Sequence, residues 1–173
     1  TLSQDHSRVR ELFRQIVREW CEEGRDERRQ SFAPLLDELN SLYPDEKARA
    51  SVRILVPGCG LARLPFDIAL AGFHCLANEQ SYHMLMTAEF ILNRCERTAK
   101  YRIYPWVHNL TNVLNANDIT APVAFPDISP TQTPDGFQLE VLPGDFSDVC
   151  RPENLEQPVS CVVTSFFLDS AHN

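Results

Sequence analysis

The sequence predicts an α/β fold of the Rossmann-like kind, entered through a helical N-terminal extension, on three observations. A short apolar strand, Ile54-Leu55-Val56, runs through Pro57 into a Gly58-Cys59-Gly60 turn that opens a helix. A second strand, Phe73 to Asn78, ends on an acid, Glu79, twenty-one residues after Gly58. Before both, apolar residues recur every three or four positions, which is helical and not strand periodicity. The boundaries expected are a helical extension over residues 1–50 and an α/β domain over residues 51–173.

Val9, Leu12, Phe13, Ile16, Val17 and Trp20 form one apolar stripe, predicting an amphipathic helix from about Asp5 to Glu23. Ser31 is the expected N-cap of a second helix, with Pro34 in its first turn, Leu35, Leu36, Leu39 and Leu42 on its apolar face, and Tyr43-Pro44 as its stop. Gly58 and Gly60 then let the backbone turn tightly and approach a ligand, and a helix is expected from Leu61 to about Ala71. At the end of the next strand, the Glu79 carboxylate can accept both hydroxyls of a ribose. A dinucleotide site needs a third glycine where Arg63 stands, so that helix and strand pack closely under a pyrophosphate. S-adenosylmethionine has no phosphate and needs only the first two glycines, beside its methionine part. The turn therefore points to that cofactor and to methyl transfer.

Downstream, Ser81 is placed to cap a helix from Tyr82 to about Arg97, with Met84, Leu85, Ala88, Ile91 and Leu92 facing inward. Residues 101–134 hold Pro105, Pro122, Pro126, Pro130 and Pro134, too many breaks for one helix. They read as an ordered insertion, because Tyr101, Tyr104, Trp106, Val107, Phe125 and Ile128 are too apolar for a disordered linker. Phe137 to Leu142 is a third strand, leaving through Pro143-Gly144-Asp145-Phe146. The continuous apolar run Val162 to Leu168 predicts a fourth, central parallel strand covered on both faces and ending at Asp169. Ligands of open α/β sheets lie outside the carboxyl ends of the strands, so Gly58, Glu79, Asp145 and Asp169 are expected on one edge.

The protein carries a formal net charge of −8, and 43% of its residues are hydrophobic without any apolar run near twenty long. No membrane span and no secretory signal is expected. Residues 111–173 contain one basic and nine acidic side chains. A nucleic-acid partner, which needs a basic stripe, is excluded in favour of a neutral or cationic small molecule. The six cysteines form no C-x-x-C pair and read as reduced thiols of a cytoplasmic or nuclear protein, with no metal site.

Several segments together carry a resemblance: Val56-Pro57-Gly58-Cys59-Gly60-Leu61-Ala62-Arg63-Leu64, Asn78-Glu79, Ile91-Leu92-Asn93-Arg94-Cys95, Tyr104-Pro105-Trp106-Val107-His108, Phe125-Pro126-Asp127, Gly144-Asp145-Phe146 and Phe166-Phe167-Leu168-Asp169-Ser170-Ala171-His172-Asn173. Over nearly the whole chain the sequence resembles the carnosine N-methyltransferases. The Tyr-Pro-Trp-x-His segment and the segment ending Ala-His-Asn are far more specific than the glycine turn. The resemblance implies a class I methyltransferase fold, S-adenosylmethionine as donor, and the imidazole of carnosine or a related histidine-containing dipeptide as acceptor, with anserine as product. It assigns Gln15 and Arg18, three apart on one helical face, to the cofactor, where a guanidinium can hold the methionine carboxylate. Gly58, with Gly60 in the same turn, falls to the methionine part, Glu79 to the ribose, and Asp145 with Phe146 to the adenine. Ser165 stands where the family more often has Cys and is expected to act through its backbone. Asp169 is the expected catalytic residue, accepting from an imidazole N–H; it can equally hold the dipeptide's ammonium or cap a helix.

Two other functions stay open: methylation of a protein histidine on the same fold, and a cofactor-binding scaffold without activity. A sheet of this kind has seven strands, and the resemblance implies further His and Tyr side chains at the substrate from a C-terminal part. The expectation is a sheet truncated after the fourth strand, with residues 1–173 alone inactive and a homodimer left open.

Overall fold

In a computed structural model, which describes residues 2–108 and 115–169, the chain groups into two compact units. One comprises Thr1–Arg28 with Glu89–Gln132, the other Arg29–Ala88 with Thr133–Asn173. The division cuts across the boundary expected near residue 50, because the segment after residue 88 groups with the first helix.

In the first unit, helix α1 (Leu2–Trp20) leads into a 3-10 turn, Glu22–Gly24. The helix stops three residues before the expected Glu23 because the chain folds back on it. An added Cβ at Gly24 would lie 2.3 Å from the carbonyl oxygens of Val17 and Arg18, so only glycine allows this approach. Helix α2 (Arg25–Ser31) starts here and brings in Arg28, which is 6% exposed. Its guanidinium donates to the carbonyl oxygens of Arg18 (2.7 Å) and Cys21 (2.9 Å) and pairs with the buried carboxylate of Asp127. Three acceptors around one buried cation offset its desolvation.

The predicted insertion is ordered where it is described, and residues 109–114 of it lie outside the described residues. Strands β3 (Tyr101–Ile103) and β4 (Val123–Phe125) pair antiparallel, Tyr101 opposite Phe125, and short α6 (Ala116–Ile119) lies between them in sequence. Phe90, Tyr101 and Phe125 form an aromatic row with centroids 5.1 and 5.7 Å apart. Strand β4 packs against α1, whose Ile16, Val17 and Trp20 are buried, and Asp127 N–H donates to Trp20 O over 2.8 Å.

The second unit is a parallel sheet with order β5-β2-β1-β6: Gln138–Pro143, His74–Glu79, Arg53–Pro57 and Cys161–Val162. The two strands read most easily from the sequence, β1 and β2, are the central pair, in register from Arg53↔His74 to Pro57↔Asn78. All five residues of β1 are buried, as a strand covered on both faces requires. Helices α3 (Ala33–Leu42) and α4 (Arg63–Leu70) supply the apolar cover. Phe32, Leu39, Leu64, Ile68 and Phe73 join Ile54, Val56 and Cys75 in one core. Each large side chain there contributes about 1.5–3 kcal/mol by leaving water. Helix α5 (Tyr82–Arg94) begins directly after Ser81 and ends three residues before the expected Arg97.

Three expectations are corrected. Ser31 closes α2 instead of capping the next helix; Phe32 is the N-cap of α3 without a side-chain bond, and Pro34 sits in the first turn, where its missing N–H costs nothing. Helix α4 starts at Arg63 and not Leu61, because Ala62 has φ 64°, a left-handed conformation that cannot belong to the helix.

The strand expected from Val162 to Leu168 is only Cys161–Val162. Val163 N–H still donates to Leu55 O at 2.9 Å, but the next bond of a parallel ladder needs an amide hydrogen on Pro57, which proline lacks. Beyond it Phe166 has φ 57°, and Phe166 and Leu168 are 70% and 76% exposed. Asp169 therefore does not end a strand, and Ser170 to Asn173 lie outside the described residues.

All six cysteines are free. Burial pushes the Cys21 thiol up to about 12 and raises Cys75 as well. Among the described residues no helix is long and apolar enough to cross a membrane, and no three of His, Cys, Asp and Glu are grouped to hold a metal ion.

Candidate functional site

Strand β1 delivers the chain to a turn in which Gly58 (φ 60°), Gly60 (φ 59°) and Ala62 (φ 64°) are all left-handed. Two of the three are glycines, as the backbone requires. Cys59 N–H donates to Asn78 O (2.9 Å), tying the turn to the end of β2.

Glu79 completes the tie. Its Oε2 accepts from Gly60 N–H (2.9 Å), and its Oε1 accepts from the N–H groups of Gln80 (2.9 Å) and Ser81 (2.8 Å). A carboxylate offers about four acceptor positions, so roughly one remains, on Oε2. The sequence expectation of an acid with both oxygens ready for a ribose is thus revised. Glu79 shapes the turn first and has one acceptor position left for a ligand.

Beside β2, strand β5 ends in a loop held by two devices. Gly144 N–H donates to Glu79 O (2.9 Å), and the buried Asn78 side chain donates from Nδ2 to the carbonyl oxygens of Leu142 and Gly144, both at 2.9 Å. Asp145 follows as N-cap of the short helix α7 (Phe146–Val149), its Oδ1 accepting from Ser147 N–H (2.8 Å) and Ser147 Oγ–H (2.6 Å).

These elements enclose a cleft of about 250 Å³ lined by Gly58, by Asn78 to Gln80, by Gly144 to Ser147 and by Phe166 and Phe167. The Phe167 ring lies directly on Gly58, where an added Cβ would come within 2.3 Å of Cδ2. The same ring meets Phe146 edge to face, with centroids 5.5 Å apart.

Of the residues singled out in the sequence, Gly58, Glu79, Asp145 and Phe146 share this cleft. Gly60 adjoins it through its bond to Glu79. Ser165 is partly buried and Asp169 is exposed; neither lines the cleft. Gln15 and Arg18 belong to the other unit, where Gln15 donates to Glu19 and Arg18 pairs with Glu27 at 2.9 Å. Their link to the cofactor is carried by the resemblance alone. Asn78, Ser147 and Phe167 received no role from the sequence. For Asn78 there was a signal: it is a polar residue directly after Cys75-Leu76-Ala77 and directly before Glu79.

A parallel sheet whose strand ends gather a double-glycine turn after β1, an acid at the end of β2 and an Asp-capped loop after β5 defines a Rossmann-like α/β fold. Comparison with known proteins is more specific. The family model described as carnosine N-methyltransferase matches residues 1–173, and the chain belongs to that family. It is 38% identical over 170 residues to carnosine N-methyltransferase of Mus musculus, covering 98% of this chain and 42% of the relative. It is 39% identical over 168 residues to that of Schizosaccharomyces pombe, covering 96% and 45%. It is 41% identical over 159 residues to carnosine N-methyltransferase unmet of Drosophila melanogaster, covering 91% and 34%. The chain spans less than half the length of these curated relatives.

Proposed function

We propose that the protein is an S-adenosylmethionine-dependent N-methyltransferase that methylates the imidazole of carnosine and related histidine-containing dipeptides, yielding anserine from carnosine. The observation that carries this reading is the meeting of Gly58, Glu79, Asp145 and Phe146 in one cleft at the carboxyl ends of β1, β2 and β5.

The residues present fit that cofactor. Gly58 lines the cleft without a side chain of its own, its Cβ position taken up by the Phe167 ring, so that a methionine part would meet its main chain. Glu79 Oε2 has an acceptor position for a ribose hydroxyl. Asp145 and the Phe146 main chain line the same cleft and would serve an adenine edge as acceptor and donor. The side chain of Arg63, at the position where a dinucleotide site needs glycine, is held by Asp67 at 2.9 Å. When bound, S-adenosylmethionine supplies a methyl group already activated on a sulfonium.

The protein's own task is to hold and orient. A reacting imidazole nitrogen must be unprotonated, and with an ordinary pKa of about 6.5 much of the ring is neutral at pH 7. We assign Asp169 to the other ring nitrogen, whose N–H it would accept, fixing the tautomer and making the reacting nitrogen more nucleophilic. Calorimetric titration with S-adenosylhomocysteine, followed by methyl transfer to carnosine set against histidine-containing proteins, tests the reading. Transfer to proteins and not to carnosine would keep the cofactor and replace the substrate; no binding of S-adenosylhomocysteine would end it.

A further inference from the structure

Asn78 occupies a place in the site that the cofactor reading does not use. It is a buried amide at the end of β2, one residue before Glu79 and at the wall of the cleft. Both hydrogens of its Nδ2 are committed, one to Leu142 O and one to Gly144 O, each over 2.9 Å. These carbonyls belong to the last turn of chain before Asp145 and Phe146. Its own carbonyl oxygen accepts from Cys59 N–H in the glycine turn. One residue thus joins the turn after β1, the acid after β2 and the loop after β5.

We propose that Asn78 is a positioning residue for the nucleoside end of the cofactor, its carboxamide fixing the loop that presents Asp145 and Phe146 opposite Glu79. This rests on the cofactor reading above. The chemistry explains why the residue is Asn. Two carbonyl oxygens need two donated hydrogens from one short side chain; a carboxylate has none to give, and a hydroxyl has one. The ladder between β2 and β5 ends at Glu79↔Pro143, its last bond running from Gly144 N–H to Glu79 O, and Gly144, at φ 130°, already lies outside the strand. Beyond the end of the ladder the carboxamide adds two further bonds to the loop, at Leu142 O and Gly144 O, and without it the loop that leads to Asp145 and Phe146 keeps only what the ladder's end supplies.

The full-length protein is compared with its Asn78→Asp and Asn78→Ser variants, by calorimetry with S-adenosylhomocysteine and with adenosine, by KM and kcat for cofactor and for carnosine, and by thermal melting. Both ligands are expected to lose affinity by a similar factor, tenfold or more for Asn78→Asp and less for Asn78→Ser. The cofactor KM is expected to rise, while kcat at saturating cofactor and KM for carnosine change little. Asn78→Asp is also expected to regain affinity as pH falls, because a protonated carboxyl restores one donated hydrogen. A folded variant with wild-type affinity for both ligands overturns the proposal. Variants that only melt lower or lose active fraction, with cofactor KM unchanged, overturn it equally by making Asn78 a folding residue. Failure of the cofactor reading looks different: the unaltered protein would bind neither ligand, and the proposal falls with it.

Discussion

Gly60 N–H donates to Glu79 Oε2 over 2.9 Å, so the glycine turn after β1 and the acid after β2 are one hydrogen-bonded piece. A ligand that displaced this bond would loosen the turn. A ribose hydroxyl can instead use the acceptor position Oε2 retains, leaving the turn intact.

Glu79→Ala is expected to do two things at once. It removes the acceptor from three main-chain N–H groups, which lowers the melting temperature, and it removes the ribose acceptor, which weakens S-adenosylmethionine by about 1.5–3 kcal/mol. Glu79→Gln does not rescue either, because its NH2 group presents a donor where Gly60 or its neighbours also donate. Calorimetry and melting curves on the full-length protein measure both effects. Unchanged affinity would mean that the ribose is held elsewhere.

Asp169→Asn separates substrate from cofactor. We expect cofactor affinity within a few-fold of wild type and kcat/KM for carnosine lower by roughly ten- to a thousand-fold, since an amide orients a ring N–H less well than a carboxylate. Steady-state kinetics with both substrates varied decides; wild-type values for both would leave Asp169 with no part in turnover.

Gly58→Ala should weaken S-adenosylhomocysteine at least tenfold. The methyl group meets φ 60°, worth about 1–2 kcal/mol of backbone strain, and a ring carbon of Phe167 at 2.3 Å. Adding Phe167→Ala removes the clash and recovers part of the melting temperature. Binding is not recovered, because the strain at φ 60° remains and the double variant has also lost the Phe167 ring from the cleft. Recovery of full affinity in the double variant would locate the defect in Phe167 alone.

Arg28→Met tests the buried ion pair of the first unit. It strands the Asp127 carboxylate, which is 9% exposed, and leaves the Arg18 and Cys21 carbonyls without their donor, so urea denaturation is expected to report a loss of about 3–5 kcal/mol. Arg28→Met with Asp127→Leu should regain much of it. A double variant as unstable as the single one would place the contribution in the carbonyl bonds.

Iodoacetamide at pH 8 should discriminate among the six thiols. Alkylation needs the thiolate, and with its pKa pushed up to about 12 the buried Cys21 is almost wholly protonated there; Cys75 is held protonated in the same way. Cys59 and Cys161, both partly exposed, are expected to label first in peptide mass spectrometry. Early labelling of Cys75 would contradict its burial within β2.

By itself the amino-acid sequence determined the features that depend on near neighbours. The period of Leu12, Ile16 and Trp20 makes α1, the glycines at 58 and 60 make the turn, and the largely apolar segments at 54–56 and 73–78 make the two central strands. All are set by backbone conformations and by which face must leave water, within a few residues of chain. The four site residues that share the cleft were legible for a related reason: carboxyl ends of parallel strands fall on one edge whatever lies between them.

Tertiary structure decided what distant chain does. The apolar run from Val162 to Leu168 looks like a full strand, yet it pairs over two residues because its neighbour's Pro57 has no hydrogen to continue the ladder. Glu79 looks like a free carboxylate, yet the fold brings Gly60 N–H to its Oε2 while its neighbours Gln80 and Ser81 donate to Oε1, which together occupy most of its acceptors. Asn78 reads as one polar residue in a strand, and its partners Leu142 and Gly144 stand 64 and 66 residues away. No local period encodes such a bond; its partners meet only when β5 docks beside β2.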